Sequence, residues 1–266
     1  VHITDQAGAI YFPAVRGSPV LATCHDLLQV RAACGEFVRQ PVGWAGRRQQ
    51  AWILAGLGRV SHLACISTKT RADALRLTDL PPERVSLVPN ALNHPYRRIE
   101  ETAARECLAG LRVARGPFLL HVGGSQWYKN RPGVLAIYAE LRRRLPSAPA
   151  LVLVGPPFTP DEIAQVAARR LREHVTRLTG VSNAELESLY SLAEGLIFPS
   201  WEEGQGWPVA EAQACGCPVF TSNRAPMIEV GGAAAVYFNP ADPEAAAHII
   251  VAAWPGRATQ RARGLV

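Results

Sequence analysis

Short apolar runs alternate with segments of helical length along most of this 266-residue sequence. In the second half, strands are predicted at 118–122, 150–154, 175–178, 196–198, 218–221 and 236–238, and helices at 132–145, 161–173, 183–192, 209–215 and 243–254. The first half has strands at 20–23, 62–67 and 85–88, and helices at 51–59 and from about residue 70. Strands that alternate with helices of this length are typical of parallel, doubly wound α/β sheets.

The segment 91–116 carries a charged patch, Pro95 and a helix-like middle, and it is interpreted as an interdomain connection. We therefore predict a partial N-terminal domain with its linker at 1–108 and a second α/β domain at 109–266. A length of 266 residues favours two domains over one.

The stretch 198–219, FPSWEEGQGWPVAEAQACGCPV, has the composition of a ligand site. Gly204 and Gly206 allow a close approach of ligand to backbone, and Pro208 suits the first turn of a helix. This places Glu203 on a loop and Glu211 in the first turn of that helix, beside an N-terminus that favours anions. The alternative is a plain strand–turn–helix connection with two solvated acids.

Several polar and glycine residues come directly after predicted strands. They are His25, Gly123, Gly124, Lys129 and Glu203. Because ligands of doubly wound sheets bind at the carboxyl ends of the strands, one rim is expected to gather these residues.

Composition narrows the function classes. The net charge of +6 suits anionic partners, but no lysine-rich tail or RNA-binding motif indicates nucleic acid. The six cysteines form no Cys-x2-Cys pair and no His/Cys cluster with zinc spacing, so we expect reduced thiols in a cytoplasmic protein and no metal site. No secretory signal pattern or membrane-length apolar run is present. A membrane contact stays open, because Arg39, Arg47, Arg48 and Arg59 form either a lipid-facing patch or a solvated helix face.

Six motifs occur in a fixed order along the chain. They are His25-Asp26, VPN at 88–90, HVGG at 121–124, YKN at 128–130, GVSNAEL at 180–186 and the stretch 198–219 itself. Together they resemble one known family, the retaining GT-B glycosyltransferases of family 4, also called glycosyl transferases group 1. The resemblance implies the GT-B fold, with two Rossmann-like doubly wound parallel-sheet domains of which the N-terminal one is incomplete. The glycine-rich loop of the family's N-terminal domain is absent, so we expect a fragment or a degenerate member.

The resemblance also implies roles for individual residues. Lys129 would pair with the donor diphosphate, Glu203 would hold hydroxyls of the transferred sugar, and Glu211 would bind the ribose. His25 would lie near the reacting sugar. The remaining donor-binding positions are Gly123 and Gly124, which leave room for the phosphates, Asn130, Val181 near the nucleobase, and Gly204, Gln205 and Gly206 beside the sugar and phosphates.

Three departures from the family pattern stand in the same motifs. The arginine that many members carry before the lysine is replaced by Ser125-Gln126-Trp127, which leaves Arg131 as one candidate for the second cation. Gln205 stands where an aromatic residue is usual, and Trp207 replaces the more common leucine.

The implied function is a retaining, metal-independent hexosyltransferase that moves a sugar from a nucleotide-sugar donor to a glycan or lipid-linked acceptor. It requires no cofactor besides the donor as co-substrate. The expected location is the cytoplasm, with the inner face of the membrane left open. The alternatives are a non-catalytic nucleotide-sugar-binding or scaffold protein, and a GT-B epimerase or phosphorylase.

Overall fold

The computed structural model describes residues 1–113, 116–145 and 147–264. Contacts within the chain group it into two compact units. The first comprises Val1–Ala91 and Glu202–Gln205, and the second comprises Leu92–Trp201 and Gly206–Val266. The contacts thus assign 92–108 to the second unit, whereas the sequence assigns this segment to the end of the first domain. Of the predicted connection 91–116, residues 114 and 115 lie outside the described residues.

The first unit contains a parallel sheet with, in its described part, the order β1-β2-β3-β4. These strands are β1 (His2–Ile3), β2 (Leu21–Cys24), β3 (His62–Cys65) and β4 (Val85–Leu87), and the helices are α1 (Phe12–Val15), α2 (Leu28–Ala33), α3 (Trp44–Leu57) and α4 (Thr68–Leu77). Short 3-10 helices cover Gln6–Tyr11 and Pro82–Arg84. Ile53 and Leu57 of α3 pack into the same buried cluster as Ala22 and Leu63 of the sheet.

The second unit contains a larger parallel sheet whose described strands have the order β10-β9-β8-β5-β6-β7. They are β5 (Phe118–Val122), β6 (Ala150–Val154), β7 (Val175–Leu178), β8 (Gly195–Phe198), β9 (Val219–Ser222) and β10 (Ala235–Phe238). The helices are α5 (Glu101–Cys107), α6 (Arg131–Arg144), α7 (Pro160–Ala168), α8 (Asn183–Leu192), α9 (Trp207–Ala214), α10 (Met227–Gly231), α11 (Pro243–Ala253) and α12 (Arg257–Gly264). Short 3-10 helices cover Trp127–Lys129, Gly232–Ala234 and Trp254–Gly256.

Alternate strand residues of this second sheet belong to two different hydrophobic clusters. Leu120 and Leu196 pack in one cluster, whereas their neighbours Leu119 and Ile197 pack in the other. Successive side chains of a strand point to opposite faces. The sheet is therefore covered by apolar helices on both faces, as a doubly wound sheet requires.

The strand order of the second sheet reverses between β5 and β8. From β5 the chain moves outward to β6 and β7, and it then returns to β8 on the other side of β5 before it continues to β9 and β10. In parallel α/β sheets this switch point opens a crevice at the carboxyl ends of the strands, and ligands bind there.

Most predicted elements are confirmed, and the differences have local causes. The helix predicted at 161–173 ends at Ala168, and Arg170 shortly after it has a left-handed backbone with φ 55°. Helix α3 begins at Trp44, earlier than the predicted start at residue 51. Ser67, one of two predicted caps, accepts a hydrogen bond from the Thr70 amide at the start of α4. Strand β1 and helices α1, α2, α10 and α12 were not predicted.

Two further sequence expectations concern the whole chain. All six cysteines lie in the described ranges and all are free thiols. Among the described helices, none is both long enough and apolar enough to cross a membrane.

Candidate functional site

Two loops of the second unit leave the sheet at the switch point. One follows β5 and contains Gly123, Gly124 and the 3-10 turn Trp127–Lys129, and the other follows β8 from Pro199. The Trp201 amide donates to the Tyr128 carbonyl over 2.7 Å, and the Asn130 side-chain amide donates to the Pro199 carbonyl over 3.0 Å. These two bonds tie the loops together beside Lys129.

Lys129 is half-buried between aromatic rings. Its Nζ lies 5.5 Å from the centroid of the Phe198 ring and 5.7 Å from that of Tyr128, within the range of cation–π attraction. A Cβ at Gly123 would stand 3.6 Å from Lys129 Cδ and 3.0 Å from His121 Nε2. Glycine at position 123 thus keeps the space beside the lysine side chain open.

Asn130 and Arg131 follow Lys129 and have structural partners. Asn130 adopts a left-handed backbone with φ 53°, and its Oδ1 accepts from the Gly133 amide, so it caps α6. The Arg131 side chain is 2% exposed, lies 3.1 Å from a Glu162 carboxylate oxygen and stacks over Phe158. Arg131 is therefore ion-paired with Glu162, and its interpretation as the second diphosphate cation stays a prediction.

Helix α9 begins directly after Gly206, which has a left-handed backbone with φ 84°. No side chain caps this end of the helix, and Pro208 lies in its first turn. Unpaired amides at such a terminus attract anions. The sequence placed Glu211 in the first turn of this helix, but it is the fifth residue of α9 and lies in the second turn.

Glu211 is buried, with 6% of its surface exposed, and its carboxylate accepts a 2.8 Å hydrogen bond from the Tyr190 hydroxyl. Burial raises the pKa of Glu211, and the Tyr190 bond and the positive charge of Lys129 counteract part of this rise. Sequence reasoning missed Tyr190, because nothing in its surroundings on α8 distinguishes it from a core residue.

The sequence analysis named the HVGG motif but did not predict His121 as a residue of the site. Its ring is completely buried and donates from Nδ1 to the Ile197 carbonyl over 2.9 Å, whereas Nε2 has no hydrogen-bond partner among the described residues. Burial and the nearby positive charges of Arg131 and Lys129 together lower the pKa of His121 to about 4, although the hydrogen bond to the Ile197 carbonyl acts to raise it. The imidazole is therefore neutral beside Lys129 at physiological pH.

The remaining predicted positions of the second unit are Gly124 and Val181. A Cβ at Gly124 would meet the Gln126 side chain at 2.1 Å. Val181 is half-buried and packs against the core cluster that contains Leu178 and Leu189.

In the first unit, His25 is held by hydrogen bonds at its backbone and its ring. Its amide donates to Gln6 Oε1 over 2.9 Å, and its ring Nε2 lies 3.0 Å from the Thr4 carbonyl. A carbonyl only accepts, so Nε2 carries the proton, and Nδ1 is the acceptor that faces the Asn90 side-chain amide at 3.5 Å. Asn90 belongs to the VPN motif.

The loop Glu202–Gln205 also belongs to the first unit and meets the His25 segment there. A Cβ at Gly204 would stand 2.4 Å from the His25 carbonyl oxygen, so only glycine permits this approach. The Gln205 side chain donates to the Asn90 carbonyl over 2.9 Å, and Glu203 is buried at 8% exposure. The predicted residues are therefore divided between the two units. The first unit contains His25, Glu203, Gly204 and Gln205, and the second contains Gly123, Gly124, Lys129, Asn130, Val181, Gly206 and Glu211.

Metal-ligating residues do not gather in the described part of the chain. No group of three or more His, Cys, Asp or Glu side chains in the ranges 1–113, 116–145 and 147–264 is arranged to hold an ion. The expectation of a metal-independent site stays a prediction.

A parallel sheet with helices on both faces, and with glycines, a lysine and an uncapped helix start at its switch point, defines a doubly wound α/β protein. Within that class, residues 110–255 match the family model of the glycosyl transferases group 1, and residues 1–94 match that of glycosyltransferase family 4. The chain belongs to the glycosyl transferases group 1 family.

Curated relatives agree with this assignment. The chain is 34% identical over 195 residues to the O-antigen chain mannosyltransferase B of Escherichia coli, a match that covers 70% of this chain and 49% of that protein. It is 26% identical over 199 residues to the serotype-specific mannosyltransferase WbdA of Escherichia coli, with 71% of this chain and 24% of that protein covered. The chain thus spans about half the length of the first relative and about a quarter of the second.

Among solved structures, the chain resembles Anabaena HepE in complex with UDP and glucose. The TM-score is 0.78 at 17% sequence identity, with 97% of this chain and 68% of the HepE chain covered. At this identity the likeness concerns the fold alone. The GT-B fold with two parallel-sheet α/β regions, predicted from the sequence, is confirmed.

Proposed function

We propose that this protein transfers a hexose from a nucleotide-sugar donor to a glycan acceptor, with retention of anomeric configuration and without a metal ion. One observation carries the proposal. The glycine turn Gly123-Gly124, Lys129 and the uncapped start of α9 all lie at the switch point between β5 and β8.

A nucleoside diphosphate leaves such a reaction as an anion, so the site has to stabilise negative charge. The Lys129 ammonium and the backbone amides at the start of α9 supply positive potential. Neutral His121 adds no further charge, and Gly123 leaves the lysine side chain room. This combination offers what a divalent ion would otherwise supply to a departing diphosphate.

The two buried glutamates suit different hydroxyl groups of the donor. Glu211 is held by Tyr190 in the same unit as Lys129, which supports its assignment to the ribose. Glu203 is assigned to the transferred sugar and His25 to the reacting centre. The resemblance assigns the backbone of Gly204, Gln205 and Gly206 to the sugar and phosphates. It assigns Gly124 to the space for the phosphates, and Asn130 and Val181 to donor binding.

Retention is proposed to proceed by attack on the face from which the diphosphate leaves, with the leaving phosphate taking the proton of the acceptor hydroxyl. A retaining hydrolase needs a nucleophilic carboxylate about 5 Å from an acid. The hydrogen bond from Tyr190 suits Glu211 for binding, and Glu203 is assigned to the hydroxyls of the sugar. Neither glutamate is therefore assigned as a nucleophile.

Mannose is the proposed sugar and a bacterial surface glycan the proposed acceptor, because the relatives include O-antigen chain and serotype-specific mannosyltransferases. A lipid-linked glycan is the alternative acceptor, and it would bring the reaction to a membrane surface.

We propose peripheral contact with the inner, cytoplasmic face of an anionic membrane, through one exposed face of α3. Trp44 and Trp52 are 74% and 54% exposed, and the Arg48 guanidinium lies over both rings at 5.5 and 5.2 Å. Tryptophan and arginine together suit the headgroup region of a bilayer. Trp52→Ala should reduce sedimentation of the protein with phosphatidylglycerol vesicles, and unchanged sedimentation would contradict this contact.

The function is tested on the full chain with UDP-glucose and GDP-mannose as donors and mannose oligosaccharides as acceptors. We expect acceptor-dependent release of one nucleoside diphosphate in the presence of EDTA, and an α-linked product by NMR. Tight donor binding without release in any combination would favour a nucleotide-sugar-binding protein, and loss of release in EDTA would overturn metal independence.

A further inference from the structure

Arg31 is the centre of a largely buried charged cluster in the first unit, outside the residues assigned to the donor. Its side chain is only 9% exposed. Nη1 and Nη2 lie 2.8 and 3.3 Å from the two carboxylate oxygens of Glu202, and Nε lies 2.8 Å from Glu36 Oε2. An arginine that grips a carboxylate with two nitrogens fixes its orientation as well as its position.

The cluster is balanced in charge. Arg31, Lys69 and Arg76 face the carboxylates of Glu36, Asp73 and Glu202, with Arg31 Nη1 3.4 Å from Asp73 and Arg76 2.8 Å from Glu36. Although burial acts to lower the pKa of Arg31, its hydrogen bonds to Glu202 and Glu36 raise it above the ordinary value. The charge of Arg31 is therefore retained, and loss of Arg31 alone would leave Glu202 without its partner.

Glu202 immediately precedes Glu203, and the residues after Glu203 have anchors of their own. The Thr70 hydroxyl lies 3.5 Å from the Gly204 carbonyl and 3.3 Å from the His25 carbonyl. The Gln205 side chain donates to the Asn90 carbonyl over 2.9 Å. The backbone at Glu203 is thus held from both sides by partners on α2, α4 and the segment after β4.

We propose that Arg31 is a positioning residue, which acts through Glu202 to present the Glu203 carboxylate to the transferred sugar. The inference rests on the proposed function. Exposed ion pairs contribute little, but this pair is largely shielded from solvent, joins residues 171 positions apart and ends one residue from the sugar-binding carboxylate. Catalytic sites tolerate little displacement of such groups.

The test compares Glu202→Ala with Glu36→Ala as the matched control. Both variants remove a carboxylate from Arg31, but only Glu202 lies on the loop that carries Glu203. Calorimetry measures the affinities of the full chain for UDP and UDP-glucose and for GDP and GDP-mannose. The ratio between the intact donor and its diphosphate isolates the contribution of the sugar, which a general loss of stability would not change.

We expect Glu202→Ala to weaken binding of the intact donor on the order of tenfold, while the affinity for the diphosphate stays at the wild-type value. Glu36→Ala should leave the ratio unchanged, and Glu202→Gln, which keeps an oxygen for Arg31, should restore much of it. Adding Glu202→Ala to Glu203→Ala should cause no further loss, because both changes act on the same contact.

An unchanged ratio in Glu202→Ala, or the same loss in Glu36→Ala, would overturn the positioning role. If Glu202→Ala does not fold in thermal denaturation, Arg31→Lys decides, because a lysine cannot hold the Glu202 carboxylate with two nitrogens. A wild-type ratio together with wild-type kcat in Arg31→Lys would then overturn the proposal. Failure of the proposed function is a separate result, since it appears as absence of transfer by the wild-type chain while the ratio of affinities is still measured.

Discussion

The Tyr190 hydroxyl donates a 2.8 Å hydrogen bond to the carboxylate of Glu211, and both side chains are buried. The bond joins α8 to α9 and holds the acid in one orientation. It also limits the rise in the pKa of Glu211 that burial causes. A buried carboxylate with a single strong donor is sensitive to the loss of that donor.

Tyr190→Phe should therefore lower the free energy of unfolding by about 1–3 kcal/mol, since it leaves a buried acceptor unsatisfied. It should also reduce the preference for UDP over 2′-deoxy-UDP, because the carboxylate assigned to the ribose is no longer held. Urea denaturation and calorimetry measure the two effects. Tyr237→Phe is the control, since its hydroxyl also donates a hydrogen bond, in this case to the Gly232 carbonyl, but that bond is exposed to solvent. Equal discrimination in Tyr190→Phe and wild type would contradict the ribose assignment.

Lys129→Ala should abolish most transfer, with a fall in kcat of about 10²-fold or more, because the cation assigned to the departing diphosphate is removed. Circular dichroism should show that the fold is retained. Arg172→Ala removes one positive charge from an exposed position and should have wild-type activity. Near-wild-type turnover in Lys129→Ala would refute the role of this lysine.

Gly204→Ala should destabilise the protein by about 1–3 kcal/mol and impair transfer, since the new methyl group would stand 2.4 Å from the His25 carbonyl oxygen. The atom that the methyl group would meet belongs to the main chain, so it cannot move aside as the end of a flexible side chain could. Gly110→Ala is the matched control, because a Cβ there meets nothing within 4 Å. Thermal denaturation measures the difference, and equal melting temperatures for the two variants would show that the loop does not approach His25 so closely.

The burial of His121 predicts a specific dependence of stability on pH. Its pKa is lowered to about 4 in the folded protein, from an unfolded value near 6.5, so the unfolded chain binds the proton more readily. Its contribution to stability is complete above pH 6.5 and is lost as the pH falls from 6.5 towards 4. The resulting decrease in the free energy of unfolding reaches about 3 kcal/mol.

His121→Asn should remove this part of the pH dependence, as measured by urea denaturation at a series of pH values between 4 and 7. His248→Asn changes an exposed histidine and should preserve the wild-type profile. If His121→Asn keeps the wild-type slope, the imidazole is not buried in its neutral form.

Much of the fold could be predicted from the sequence because its signals are local. Apolar runs such as 118–122 and 150–154 correspond to β5 and β6 residue for residue. Helix starts follow from capping and proline chemistry, as at Ser67 and Pro208. The glycines and Lys129 after β5 were found for the same reason, since a turn and its strand are adjacent in the chain.

The sequence by itself determined the alternating α/β pattern and the loops that carry the candidate donor residues, because periodicity and turn preferences act over a few neighbouring residues. Only the tertiary structure decided which partners those residues have. In the structure Arg131 is buried in an ion pair with Glu162, and Glu211, in the second turn of its helix, accepts a hydrogen bond from Tyr190. Arg31 forms an ion pair with Glu202. Such pairs form between distant segments once apolar faces pack, and no local pattern in the chain specifies them.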